Sequence, residues 1–130
     1  RILVPGGTAL ISVYYKNILL RSWPLLRHIA KPFLLLGAGM KGRGREKIYG
    51  ANDVNEIVRL YDGADNPIGK AYSKQELRKM LYPYFHIEYL FVHFFPARSL
   101  PFPIPKRLHE VLDQRCGFML YARCRKRSVL

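Results

Sequence analysis

Tyr14, Tyr15, Lys16 and Asn17 follow directly on the apolar, β-branched run Thr8-Ala9-Leu10-Ile11-Ser12-Val13. Phenols, an ammonium and an amide at the carboxyl end of a strand can orient a polar ligand. That end is where α/β sheets hold their ligands. Asn66 and Tyr72 flank a second turn-rich segment and are candidates for the same pocket. The bland alternatives are an ordinary strand exit and an Asn66 that only stabilises its turn. These six residues are the candidate substrate-binding set, and no residue stands out as catalytic. The sequence carries no Ser nucleophile elbow, no metal-binding His pair and no phosphate-cradling P-loop. His28, His86, His93 and His109 are scattered. Cys116 and Cys124 on one strand would share a face, too far apart for a disulfide, so both are expected to be reduced.

The segment Gly37-Ala38-Gly39-Met40-Lys41-Gly42 fits the dinucleotide-binding pattern G-x-G-x-x-G, with Asp62 some way beyond it. Such glycines let backbone approach a pyrophosphate at a helix N-terminus, so a helix must follow. Here Arg43-Gly44-Arg45-Glu46-Lys47 follows, with almost no apolar stripe to pack on a sheet. Residues 37–52 therefore read as a basic loop able to touch an anionic substrate, and no cofactor-binding residue is assigned to them.

The elements that must position these groups are legible in part. Residues 8–15 read as a strand and 16–36 as one or two short helices broken near Pro24 and Pro32. Asp53 to Tyr61 suits a short helix or a strand, and Asp62-Gly63-Ala64-Asp65-Asn66-Pro67 is dense turn chemistry. Ser73-Lys74-Gln75-Glu76 is a capping box, and Leu77, Met80 and Leu81 give its helix an apolar stripe ending by Pro83. The aromatic-rich run Phe85 to Phe95 favours a strand, with its rings buried on both faces rather than offered to nucleic-acid bases. A short helix over about 106–115 and a last strand over 117–125 complete the order. Arg115, Arg123, Arg125, Lys126 and Arg127 form a basic C-terminal cluster, read as solvated.

A net charge of +13 and 49% hydrophobic residues describe one packed domain with a strongly positive exterior. That exterior suits an anionic partner, either nucleic acid or a membrane surface. Ile18 to Leu36 is apolar but carries Arg21, Arg27, His28 and Lys31, which argues against a membrane span. Two readings of it stand. Trp23, Leu25, Leu26, Ile29 and Phe33 pack on the same protein, the reading the sequence favours, or they lie on a membrane as a basic helix. The chain opens Arg1-Ile2-Leu3-Val4-Pro5-Gly6-Gly7 without Met and without a secretory signal. It is expected to begin in mid-fold, with a cytoplasmic or membrane-peripheral location.

Pro5-Gly6-Gly7 with strand 8–15, the stretch Asp62 to Pro67 through Ala71-Tyr72-Ser73 and Glu76-Leu77, and the two final strands carry a resemblance. Together they resemble the C-terminal half of a class I S-adenosylmethionine-dependent methyltransferase of the bacterial type 11-like kind. The likeness covers most of residues 1–16 and 61–126. It implies an α/β fold: the C-terminal part of a Rossmann-like methyltransferase sheet, ending in an antiparallel strand pair. Residues 17–60 become a helical, lid-like insertion in a single partial domain spanning 1–130. It also implies that the main S-adenosylmethionine site, a glycine-rich loop with a ribose-holding acid, lies in a preceding half. The chain would then supply sheet edge, lid and acceptor pocket, be inactive alone, and expose an apolar edge beside strand 8–15. The resemblance leaves the acceptor open. The rival reading is a basic, non-enzymatic module that binds nucleic acid or an anionic membrane surface.

Overall fold

In the computed structural model, residues 3–35, 42–63, 65–97, 100 and 102–127 are described. The expected first strand, β1, spans Thr8–Tyr15, and the chain turns at once into two helices, α1 (Ile18–Arg21) and α2 (Trp23–Leu35). The break between the helices falls at Ser22, whose backbone N–H closes α1 on the Ile18 carbonyl. Neither proline breaks α2. Pro24 occupies its first turn, where a missing N–H costs nothing, and Pro32 lies inside the helix. The expected break near Pro32 is thereby corrected.

Residues 37–52 are not a loop throughout. A 3-10 helix, Arg45–Gly50, follows the left-handed Gly44 and buries Ile48 and Tyr49. Helix α3 (Val54–Asp62) resolves the ambiguous segment, with Asp53 accepting from the N–H groups of Asn55 and Glu56 as its N-cap. A two-residue strand, β2 (Ala71–Tyr72), precedes α4 (Lys74–Leu81), whose capping box forms as the sequence implies. Strand β3 (Phe85–His93) stops two residues short of expectation because Phe94 adopts a positive φ of 70°. Helix α5 (Lys106–Cys116) and strand β4 (Met119–Lys126) complete the order. Residues 37–41 of the G-x-G-x-x-G segment lie outside the described residues.

The protein is mixed α/β. Its described strands form one mixed sheet in the order β2-β1-β4-β3, parallel between β1 and β2 and antiparallel at both sides of β4. β4 therefore pairs with β1 on one side and β3 on the other, so the chain ends in an antiparallel pair. The outer edge of β1 pairs with β2 only at Tyr14 and Tyr15. Among the described strands, Thr8 to Val13 have no partner on that side.

Side-chain alternation divides the sheet into two faces. Ile11, Val13 and Tyr15 join Ile87, Leu90, Val92, Leu120, Ala122 and Cys124 beneath Leu77 and Leu81 of α4. A second cluster gathers Leu20, Ile48, Ala51, Ile57, Val58, Leu60, Ala71 and Phe118, with Tyr14 and Trp23 against it. The described part of residues 17–60 thus supplies most of a core at the exit of β1. Both cysteines are free: Cys116 ends α5 and Cys124 is buried in β4, where burial pushes its thiol pKa up.

Candidate functional site

The structure separates the sequence-chosen run Tyr14-Tyr15-Lys16-Asn17 into three environments. Tyr14 points to the face of α3, where its hydroxyl donates to the Asp62 carboxylate at the last residue of that helix. Asn66 reaches the same carboxylate, donating through Nδ2 to the other oxygen at 3.1 Å. Its Oδ1 accepts from the backbone N–H of Ile68 at 3.2 Å, so Asn66 both holds its turn and meets Tyr14 at Asp62. Arg45 joins this group from the 3-10 helix. Its Nε donates to the Tyr61 carbonyl at 2.7 Å, and its guanidinium lies 5.2 Å from the Tyr61 ring centre.

Burial is the main reason the Tyr14 phenol resists ionisation, and the Asp62 hydrogen bond and charge add to it. Tyr61 is shifted the same way by burial, opposed by Arg45. A raised phenol pKa means stability present below the ordinary tyrosine range and lost as pH climbs through the raised value. In an alkaline absorbance titration, Tyr14→Phe should remove one late-ionising phenol and cost about 1 kcal/mol of stability at neutral pH. An unchanged late phase would place the resistant phenol elsewhere.

Tyr15, Lys16 and Tyr72 form the second environment, around the start of α4. Lys16 Nζ donates to Glu76 Oε1 at 2.8 Å, while Glu76 Oε2 accepts from the Ser73 N–H at 2.6 Å. The capping-box glutamate therefore has a second task that the sequence pattern does not reveal: it anchors the lysine at the end of β1. Lys74 lies 6.0 Å from the Tyr15 ring centre and Lys70 lies 5.3 Å from that of Tyr72. Tyr15 and Tyr72 are register partners across the β1–β2 pair and share the α4 face.

The bond from Lys16, then the backbone and side-chain bonds at Ser73, hold the Glu76 carboxyl down at about 2. Its stabilising effect is complete above the ordinary carboxylate value and is lost as pH falls through about 2. Glu76→Gln should therefore lessen the decline of stability on acidification over that window. Carbon-detected titration of the Glu76 carboxyl reads it directly, and a midpoint in the usual glutamate range would refute the anchoring.

Asn17 occupies the third environment and is 1% exposed. Its Oδ1 accepts from the Leu20 N–H at 2.8 Å, capping α1. Its Nδ2 donates to the carbonyls of Cys116 and Gly117 at 2.9 and 3.1 Å. The same junction is fastened by the backbone, with Tyr15 N–H on the Phe118 carbonyl and Phe118 N–H on the Phe94 carbonyl. Asp113, also buried, accepts from the Phe95 N–H at 2.7 Å and pairs with His93. The exits of β1 and β3 and the entry to β4 are thereby locked to α5.

The aromatic run corrects its sequence reading. Only one face of β3 packs on α4, through Ile87, Leu90 and Val92, while Tyr89 and Phe91 are exposed on the other, with Phe91 stacked on Tyr121 at 5.0 Å. Arg123 and Arg125 of the basic cluster share that face and pair with Glu88, at 3.1 and 2.9 Å. Arg127 lies over Tyr82 at 4.3 Å and donates to the Phe85 carbonyl, so it too is tied down.

The chain matches no protein-family model, no curated protein and no solved structure. Function must therefore rest on the residues themselves. The six sequence-chosen residues separate into Tyr14 with Asn66, Lys16 with Tyr15 and Tyr72, and a buried Asn17. Sequence reasoning missed Asp62 and Glu76 as the carboxylates that gather the first two groups. Nothing in the local pattern around Asp62, a turn-rich segment, or Glu76, a capping box, points to Tyr14 or Lys16 as their partners. A carboxylate next to a turn that faces a strand end is the signal that was available.

Proposed function

We propose that the chain is the C-terminal, acceptor-side part of an S-adenosylmethionine-dependent methyltransferase. The observation that carries this reading is the sheet. The strand after Pro5-Gly6-Gly7 is continued by an antiparallel pair built from the last two strands, as the resemblance implies. The outer edge of β1 is free from Thr8 to Val13 among the described strands, which leaves room for a donor-binding half to extend the sheet.

In this reading the groups at the exit of β1 bind and orient the acceptor. Asp62, holding Tyr14 and Asn66, fixes a phenol and an amide in place, and Glu76 does the same for the Lys16 ammonium. S-adenosylmethionine would supply the reactive methyl group from the preceding half. Proximity and alignment account for much of the acceleration in such a transfer, so few groups on this side need to do chemistry.

The test is to read the coding sequence upstream of Arg1 and express the whole frame. A strand followed by a Gly-x-Gly loop, together with binding of radiolabelled S-adenosylmethionine, is the expected result. A complete frame product without that loop and without S-adenosylmethionine binding overturns the proposal.

A further inference from the structure

Helix α2 leaves large aliphatic side chains in water. Leu25 is 77% exposed and Ile29 is 67% exposed; four residues apart on one helix, they form one stripe. Ile18 on α1 is 62% exposed. The sequence favoured packing these residues on the protein, and for Leu25 and Ile29 the structure places the opposite side of the helix inward. Trp23 donates from Nε1 to the Ile48 carbonyl at 2.8 Å, and Arg27 reaches the Gly50 carbonyl at 3.3 Å. The helix is therefore pinned to the 3-10 helix by one side, and the stripe faces away.

The two helices are basic. Arg21, His28 and Lys31 are exposed, with His28 three residues on from Leu25 beside the stripe and Lys31 one turn on from Arg27, and no Asp or Glu precedes Glu46 in the chain. Isolated exposed apolar residues need no explanation, but an aliphatic stripe on a basic helical segment without acids matches the composition of helices lying in an anionic lipid interface. Nucleic acid fits this surface less well. The cations of the helices suit its phosphates, but its bases reward aromatic platforms rather than Leu and Ile. No helix among the described residues is long and apolar enough to cross a membrane, so the contact would be peripheral.

We infer that α1 and α2 dock the protein on an anionic bilayer, with Leu25 and Ile29 inserted among the acyl chains and Arg21 and Lys31 at the headgroups. Asn17, the N-cap of α1, adjoins Lys16, so this docking sets the exit of β1 close to the lipid surface. The inference goes beyond the methyltransferase reading and does not depend on it, because vesicle binding is measured without methyl transfer.

The experiment is flotation of the chain with vesicles of phosphatidylcholine alone, or mixed in equal parts with phosphatidylglycerol. Binding is expected to the anionic vesicles only and to weaken with added salt. The pair Leu25→Gln and Ile29→Gln should weaken it at least about tenfold, as should Arg21→Gln with Lys31→Gln. Arg78→Gln with Lys79→Gln, exposed on α4, should leave it unchanged. The charge pair leaves the aliphatic stripe intact, so it tests the face even if the apolar pair fails to fold. Equal weakening by the α4 pair, or binding to a single-stranded oligonucleotide without binding to vesicles, would overturn the assignment.

Discussion

Replacing Asn17 by Ala should lower the unfolding free energy by about 3 kcal/mol, and the melting temperature by roughly 10 °C for a chain of this size. Three effects combine at one buried side chain. Loss of the N-cap removes about 1 kcal/mol from α1, and the carbonyls of Cys116 and Gly117 each lose a donor. The carbonyls matter more, since a buried acceptor left unmatched has given up water and received nothing in exchange.

Asn17→Asp separates these effects. It retains an acceptor for the Leu20 N–H but sets a carboxylate oxygen against two carbonyls. At neutral pH it should be at least as damaging as Ala. Its deficit should shrink on acidification, because a protonated carboxyl regains a donor. The folded-state pKa is then raised, so stability is greatest below the ordinary carboxylate range and lost as pH rises through the raised value. Thermal melts of both variants across pH decide this. A mild, pH-independent loss in both would mean that Asn17 is an ordinary cap.

Gly117→Ala should cost a similar amount, about 3 kcal/mol, for a purely steric reason. The backbone of Gly117, at φ −56° and ψ 151°, suits any residue, so glycine is not required by its torsion angles. What excludes a side chain is space. A Cβ there would lie 2.4 Å from the His93 carbonyl oxygen and 2.5 Å from that of Asp113. Both are backbone atoms, one on β3 and one in α5, and neither can rotate aside. The chain must shift at the point where Asn17, Phe118 and Phe94 meet. The cost should therefore appear as a lower midpoint in urea unfolding, with a loss of amide protection at the exits of β1 and β3. An alanine variant as stable as the parent would show that this junction is looser than its contacts imply.

Gly63 makes the contrast. Its φ of 139° disfavours any side chain, while its surroundings leave ordinary van der Waals room. The two glycines are required for unrelated reasons, and sequence inspection treats them alike.

The local elements follow from local chemistry. The β-branched run before Tyr14, the Ser73–Glu76 capping box and the strand–helix–strand ending are each specified within a few residues, by side-chain alternation or by a reciprocal hydrogen bond. Where the sequence misled, a distant partner decided. Arg45 to Gly50 looked like loop because its composition is charged and glycine-rich, yet Ile48 inserts into a core made by α1, α3 and β2. The rings of β3 suggest burial on both faces, but α4 covers only the Ile87, Leu90 and Val92 side and the face of Tyr89 and Phe91 stays open.

The candidate site shows the same division. Period-two alternation alone separates Tyr14 from Tyr15, so the sequence contained that split. It did not contain the meeting of Tyr14 with Asp62, 48 residues away, or of Lys16 with Glu76, 60 residues away. Nor did it contain the burial of Asn17 beneath two carbonyls that lie 99 and 100 residues along the chain. Composition and spacing act over a helical turn or a strand repeat. Burial, carboxylate partners and the solvent-facing side of α2 depend on which surfaces meet, and only the packed chain decides that.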